Sequence, residues 1–143
     1  VSADGTANSK QAIFATLAKM AQETYGLNAS LIANGFNHRE KLGSTGFGGA
    51  TAIPHAKIED LNNCVGLFLR LAEPVPFDSH DGQPVDLVFG LLSPAKGGAD
   101  HLKALAEVSR YLRDEAVVAK LRGASGADAL YALLTGNREQ QAA

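Results

Sequence analysis

The sequence predicts an α/β fold in one domain, with helices flanking a central group of strands. Three observations carry this expectation. Apolar residues recur at helical spacing near both ends of the chain, and between them lie two apolar runs without polar alternation. The 143 residues are also enough for one domain with a buried core. The order of helices and strands leaves the sheet topology open.

The first helix is expected over 9–25. Ser9 can cap its start, Ile13, Leu17, Met20 and Ala21 share a face, and Gly26 supplies the left-handed residue that ends many helices. A second helix follows the capping residue Asn28 and carries Leu31, Ile32 and Phe36, leading through His38, Arg39, Glu40 and Lys41 into a glycine-rich stretch at 43–49. The runs 65–69 and 85–92 read as strands buried on both faces. The segments 73–76 and 81–84 between them have the composition of turns. A third helix is expected after the segment 93–100, with Leu102, Leu105, Val108 and Leu112 as its core stripe. A shorter helix follows over 115–122. The last covers about 127–134, with Ser125 and Asp128 spaced as a capping box. The tail after Gly136 is polar and expected to fray, giving an ordered core of about 9–135. The chain opens at Val1 without an initiator Met or a signal-peptide pattern, so native residues are expected to precede it.

Composition narrows the function. The net charge of −2, with acids and bases interspersed, argues against a chain whose task is coating nucleic acid. No apolar run approaches the roughly 20 residues that span a bilayer. Cys64 is the sole cysteine, which rules out an internal disulfide and favours a cytoplasmic setting. Preceding an apolar run, it is expected to be a buried, structural thiol.

Chemistry centres on four histidines and the glycine stretch. His38, His55, His80 and His101 contain no pair at the spacing of a helical metal site, so no metal is expected. The segment 43–49 fails as a Walker A loop, because Gly49 and Ala50 stand where Lys and Ser or Thr are required. It fails as a dinucleotide fingerprint at Thr51. What survives is a set of backbone N–H groups and hydroxyls able to approach an anion, and taken alone the stretch reads as a flexible turn.

His55 differs from an arbitrary histidine in its setting. Pro54 stiffens the backbone in front of it, the glycine stretch and Arg39 precede it, and Lys57 follows. A neutral imidazole among cations and N–H donors suits nucleophilic attack on phosphorus. His101 lies at an expected helix start, where unpaired N–H groups favour a phosphate and disfavour the imidazolium. On local sequence alone, a water-facing first-turn residue is an equal reading. Ser44 lacks the Gly-x-Ser-x-Gly context of a hydrolase, and His80, among turn residues, is expected to be exposed and silent.

These residues resemble a known family. The run Arg39-Glu40-Lys41-Leu42-Gly43-Ser44-Thr45-Gly46-Phe47-Gly48, followed by Ala52-Ile53-Pro54-His55, is similar to the active-site signature of enzyme IIA domains. These domains form the mannitol/fructose class of the bacterial phosphotransferase system, which includes a nitrogen-regulatory branch. Further matches are Pro84-Val85-Asp86-Leu87-Val88-Phe89, Leu91-Leu92-Ser93-Pro94, His101-Leu102 and Leu105, and the resemblance spans about 9–135.

The resemblance implies a mixed central sheet flanked by helices on both faces and a transiently phosphorylated histidine. His55 falls on the phosphoryl-accepting position, His101 on the second active-site histidine and Arg39 on the active-site arginine. Ser44, Thr45 and Lys57 fall where phosphate contacts are expected. An HPr-like phosphocarrier is the implied donor, with no cofactor, no nucleic acid and no membrane insertion. The chain departs from relatives at Gly49-Ala50, where Asn-Gly is common, which argues against a side-chain role at 49. Three functions follow from this resemblance. The favoured one is a nitrogen-regulatory protein whose phosphorylation state governs targets such as sensor kinases or transport regulators. The others are a sugar-specific enzyme IIA relaying to a separate enzyme IIB, and an interaction module without phosphotransfer.

Overall fold

The structure, a computed structural model, describes residues 1–142 apart from Asp60 and Gly97, and the side chains of Asp4, Phe47 and residues 136–142 lie outside the description. In chain order the elements are β1 (Ser2–Gly5), α1 (Lys10–Tyr25), α2 (Ala29–Glu40), β2 (Gly46–Gly48), β3 (Thr51–Ala52), β4 (His55–Ile58), β5 (Val65–Val75), β6 (Val85–Pro94), α3 (Gly98–Arg113), α4 (Glu115–Gly123) and α5 (Ala127–Ala142). The caps act as their residue types dictate. Ser9 accepts from the Ala12 N–H, Gly26 ends α1 at φ 69°, and Asn28 accepts from the Leu31 N–H. The fraying expected after Gly136 falls on residues whose side chains lie outside the description.

All six strands share one mixed sheet in the order β1-β5-β6-β3-β2, with β4 also paired to β6. The long strands β5 and β6 form an antiparallel pair at its centre; β1 runs parallel to β5, and β3 and β4 run parallel to β6. Leu67, Leu69, Val88 and Leu92 face one apolar cluster with Ile13, Leu17 and Phe36 of α1 and α2. Phe68 and Leu87 face a second with Leu112, Leu121 and Leu130 of α3, α4 and α5. Both faces are therefore covered, which is why the two runs lack polar alternation. The expected α/β class, with a mixed sheet between helices, is the fold observed.

One charge lies inside the second layer. Arg70 of β5 is 9% exposed and donates from one terminal nitrogen to the carbonyls of Leu121 (3.1 Å) and Ala124 (2.6 Å). A cation is favourable where α4 ends in unpaired carbonyls.

Several expectations are corrected. The 43–49 stretch is not merely a turn, because Gly46–Gly48 pairs antiparallel with Thr51–Ala52 as a hairpin. Its tip, Gly49-Ala50, has φ of 64° and 61°, the positive pair that a two-residue type I′ connection requires. The tip is pinned from both sides: the Gly49 N–H donates to Asp81 (3.1 Å), and its carbonyl accepts from Arg122 (3.0 Å). The 73–76 segment is no turn, since β5 runs on to Val75 across an irregular register after Arg70 that accommodates Pro74. Leu102 is 67% exposed, because His101 takes the inward place and the stripe is His101, Leu105, Val108 and Leu112. Cys64 is exposed, lying in the loop before β5 rather than in the sheet. The cap of α5 falls on Gly126, whose carbonyl receives the first helical bond from Leu130, and not on Ser125.

Candidate functional site

β3 and β4 are one strand broken at Ile53-Pro54. Thr51 and Ala52 pair with Leu87 and Val88 of β6, and pairing resumes at His55 opposite Leu91. Pro54 has no N–H to donate, though its carbonyl still accepts from Leu91 (2.9 Å). The interruption frees the Ile53 carbonyl, which lies 2.8 Å from Nδ1 of His55. A carbonyl can only accept, so Nδ1 carries the proton and the lone pair sits on Nε2. Arg39 donates from Nε to that Nε2 at 3.1 Å and from a terminal nitrogen to the Gly43 carbonyl at 2.9 Å.

The approach of Arg39 rests on Gly35, one helical turn earlier on the same face of α2. A Cβ on Gly35 would stand 3.0 Å from Cβ of Ala56, so its absence lets α2 lie close against β4. Along β4, Ala56 and Ile58 enter the first apolar cluster, while His55 and Lys57 alternate to the opposite face. Ser93 is the register partner of Lys57 and shares that face. Fully buried, its Oγ lies 2.6 Å from Nδ1 of His101, which is 7% exposed in the first turns of α3. The His55 and His101 rings stand 5.6 Å apart between centroids at 46°.

Electrostatics keep both imidazoles neutral near pH 7. Burial pushes the His55 pKa down and the Arg39 charge adds to this, against the Ile53 carbonyl and Glu40. Burial also lowers His101, helped by His55 and Lys57. The site thus offers one neutral nitrogen whose lone pair accepts only from the Arg39 guanidinium, with a second imidazole beside it that feels the Lys57 charge. Such a set can receive an electrophilic phosphorus and hold its oxygens.

Arg39, His55, His101 and Lys57 are therefore brought together. Ser44 and Thr45 are engaged elsewhere. The Ser44 hydroxyl donates to the Phe77 carbonyl (2.9 Å) and accepts from the Gly46 N–H (3.1 Å). Thr45 gives its hydroxyl (2.7 Å) and its N–H to the Glu40 carboxylate, which also pairs with Lys10 at 3.0 Å. His80 is exposed. Among the described residues no three His, Cys, Asp or Glu side chains cluster as a metal site.

Sequence reasoning placed Glu40 and Ser93 in family-like motifs and gave neither a role, yet both shape the site. Each carried a signal. Glu40 sits in the last turn of α2, where an acid opposes the helix dipole and needs another reason to be there. Ser93 is a hydroxyl in a run buried on both faces, where a polar side chain needs a partner.

Comparison with known proteins follows from this geometry. Residues 1–137 match the family described as the phosphoenolpyruvate-dependent sugar phosphotransferase system, EIIA 2. A nitrogen regulatory protein of Bradyrhizobium diazoefficiens is 49% identical over 127 residues, covering 89% of this chain and 83% of its own length. The crystal structure of nitrogen regulatory protein IIA-Ntr from Neisseria meningitidis superposes with a TM-score of 0.84 at 33% identity, covering 92% of this chain and 90% of that one. IIA mannitol from Escherichia coli shares the fold at a TM-score of 0.76 and 21% identity, covering 92% of both chains.

Proposed function

The chain belongs to the phosphoenolpyruvate-dependent sugar phosphotransferase system EIIA 2 family, and on that premise we propose that Nε2 of His55 accepts a phosphoryl group from an HPr-like phosphocarrier and that the protein then regulates its partners through its phosphorylation state. The observation that carries this reading is the His55 tautomer. The Ile53 carbonyl holds the proton on Nδ1 and leaves the Nε2 lone pair beside Arg39.

In the transfer, the Nε2 lone pair forms the new nitrogen–phosphorus bond. The old bond to the donor's imidazole breaks, and its electron pair returns to that ring. Nδ1 keeps its proton and its bond to Ile53, so positive charge on the ring stays paired. The Arg39 Nε–H, aimed at Nε2 beforehand, turns to the phosphoryl oxygens, and His101 and Lys57 take up the remaining charge. The donor already holds an activated phosphoryl group, so neither a nucleotide nor a metal enters the step.

Regulation follows from the charge added. A phosphoryl group brings about −1.5 to −2 at neutral pH to a rim that exposes Leu42 (77%) and Leu102 (67%), so a partner seated there meets a different surface in the two forms. The 49% identity to a nitrogen regulatory protein favours this role over sugar-specific relay. Sensor kinases and transport regulators are the class of target, in the cytoplasm where the carrier resides. Among the described residues no helix is long and apolar enough to cross a membrane.

The test is intact-mass analysis with phosphoenolpyruvate, the general phosphotransferase enzyme and the phosphocarrier. One acid-labile phosphoryl group on the wild type, absent from His55→Ala, is expected; labelling that persists in His55→Ala refutes the assignment. Rapid onward transfer to a sugar-specific enzyme IIB would replace regulation by relay, and an unlabelled wild type would leave an interaction module.

A further inference from the structure

We infer that Ser93 is a positioning residue that holds His101 in the tautomer opposite to that of His55, with the proton on Nε2, so that one histidine attacks while the other donates. The inference rests on the phosphotransfer reading for its purpose but on separate atoms for its evidence. Ser93 has no exposed surface, and its hydroxyl meets two partners, Nδ1 of His101 at 2.6 Å and Sγ of Cys64 at 3.6 Å.

Two proton arrangements satisfy these three groups. In one, Cys64 donates to Ser93 and Ser93 donates to Nδ1, which leaves the His101 proton on Nε2. In the other, Nδ1 donates to Ser93 and the hydroxyl must donate to sulfur. Acceptor strength decides between them. Sulfur is a weak acceptor, whereas an imidazole nitrogen is a strong one. The first arrangement, in which the hydroxyl donates to nitrogen and the thiol donates to the hydroxyl, therefore wins. The ring is thereby fixed with an N–H on the atom that Ser93 does not occupy, 5.6 Å between centroids from the ring that would carry phosphorus. Neither histidine could exchange roles with the other: the Ile53 carbonyl forbids a lone pair on Nδ1 of His55, and the Ser93 hydroxyl favours one on Nδ1 of His101.

Long-range ¹H–¹⁵N correlation of the imidazole rings of the unphosphorylated protein near pH 7 reads both tautomers directly. The expected result is Nδ1–H for His55 and Nε2–H for His101. In Ser93→Ala, with amide spectra confirming the fold, His101 should become a tautomer mixture. Phosphoryl acceptance should slow about three- to tenfold in kcat with KM for the carrier little changed, the worth of one hydrogen bond. Ser93→Thr, which keeps the hydroxyl, should restore both. A wild-type His101 protonated on Nδ1 overturns the inference even if no variant folds, as does a folded Ser93→Ala with unchanged tautomer and rate. The two readings fail separately. A wild type that is labelled but holds His101 as Nδ1–H loses only the role of Ser93. One that is never labelled but shows Nε2–H dependent on Ser93 loses only phosphotransfer.

Discussion

Replacing Arg39 by Met removes the cation beside His55 while keeping most of the aliphatic stem, and its effect can be sized from the geometry. Arg39 Nε stands 3.1 Å from the attacking nitrogen, so the oxygens of a phosphoryl group on that nitrogen lie within about 4 Å of the guanidinium. At an effective dielectric of about 20, charges at this separation interact by about 4 kcal/mol, and partial exposure of Arg39 cuts this to about 2 kcal/mol. The equilibrium for accepting the group should therefore fall about 30-fold. Loss of the charge also lets the His55 pKa rise, but only in part, because burial is the larger cause of its depression. Acceptance near neutral pH should thus fall through the phosphorylated state rather than through protonation of the nucleophile. The assay is the extent of transfer from a phosphorylated carrier, approached from both directions and read by intact mass. Arg39→Lys, which keeps the charge but loses the fork that also holds the Gly43 carbonyl, should fall between wild type and Arg39→Met. A folded Arg39→Met that accepts to the wild-type extent would refute the electrostatic account.

Three further outcomes follow from the same structure. Ala50 sits at φ 61°, a conformation that disfavours a side chain by about 1–2 kcal/mol, so Ala50→Gly should stabilise the protein by about 1 kcal/mol in urea unfolding after allowing for the freer unfolded chain. Burial lowers the pKa of both His55 and His101, so below about pH 6.5 the unfolded chain binds protons that the folded one refuses. Stability should hold above that pH and decline as it falls toward the folded values, and His55→Gln and His101→Gln should each flatten the decline in pH-dependent denaturation. Arg70→Met should lower stability by about 2–4 kcal/mol in the same assay, because carbonyls at the end of α4 lose a charged donor in a buried site.

Much of the fold was legible in the residues, and the exceptions have physical causes. Caps at Ser9, Gly26 and Asn28 are local hydrogen-bond devices, so they could be placed from sequence alone. The strands β5 and β6 could be found because burial on both faces leaves uninterrupted apolar runs. The short strands β1 to β4 could not, since two to four residues carry no period; β1, β3 and β4 pair long-range with β5 or β6, and β2 pairs only with β3. Leu102 does not face the core because a helical stripe drawn through apolar residues alone omits a histidine, and His101 is buried with its ring bonded to Ser93.

The site divides in the same way. The Pro54-His55 pair could be noticed for its stiffness, but the bond from His55 to the Ile53 carbonyl depends on where the strand breaks against β6. Arg39 stood out as a nearby cation in sequence. Its contact with His55 needs Gly35 to draw α2 onto Ala56, which no local pattern announces. Ser44 and Thr45 looked like anion-contacting hydroxyls because composition does not reveal which acceptor a hydroxyl finds, and here those are the Phe77 carbonyl and the Glu40 carboxylate.

The central claim is that the lone pair on Nε2 of His55 forms the bond to phosphorus. Nitrogen-15 NMR of the phosphorylated, ¹⁵N-labelled protein reads the bonded atom through its chemical shift and its coupling to phosphorus. The predicted result is a single phosphoryl group on Nε2 of His55, with Nδ1 still protonated and His101 unmodified. A phosphoryl group on Nδ1 of His55, or on either nitrogen of His101, would contradict it.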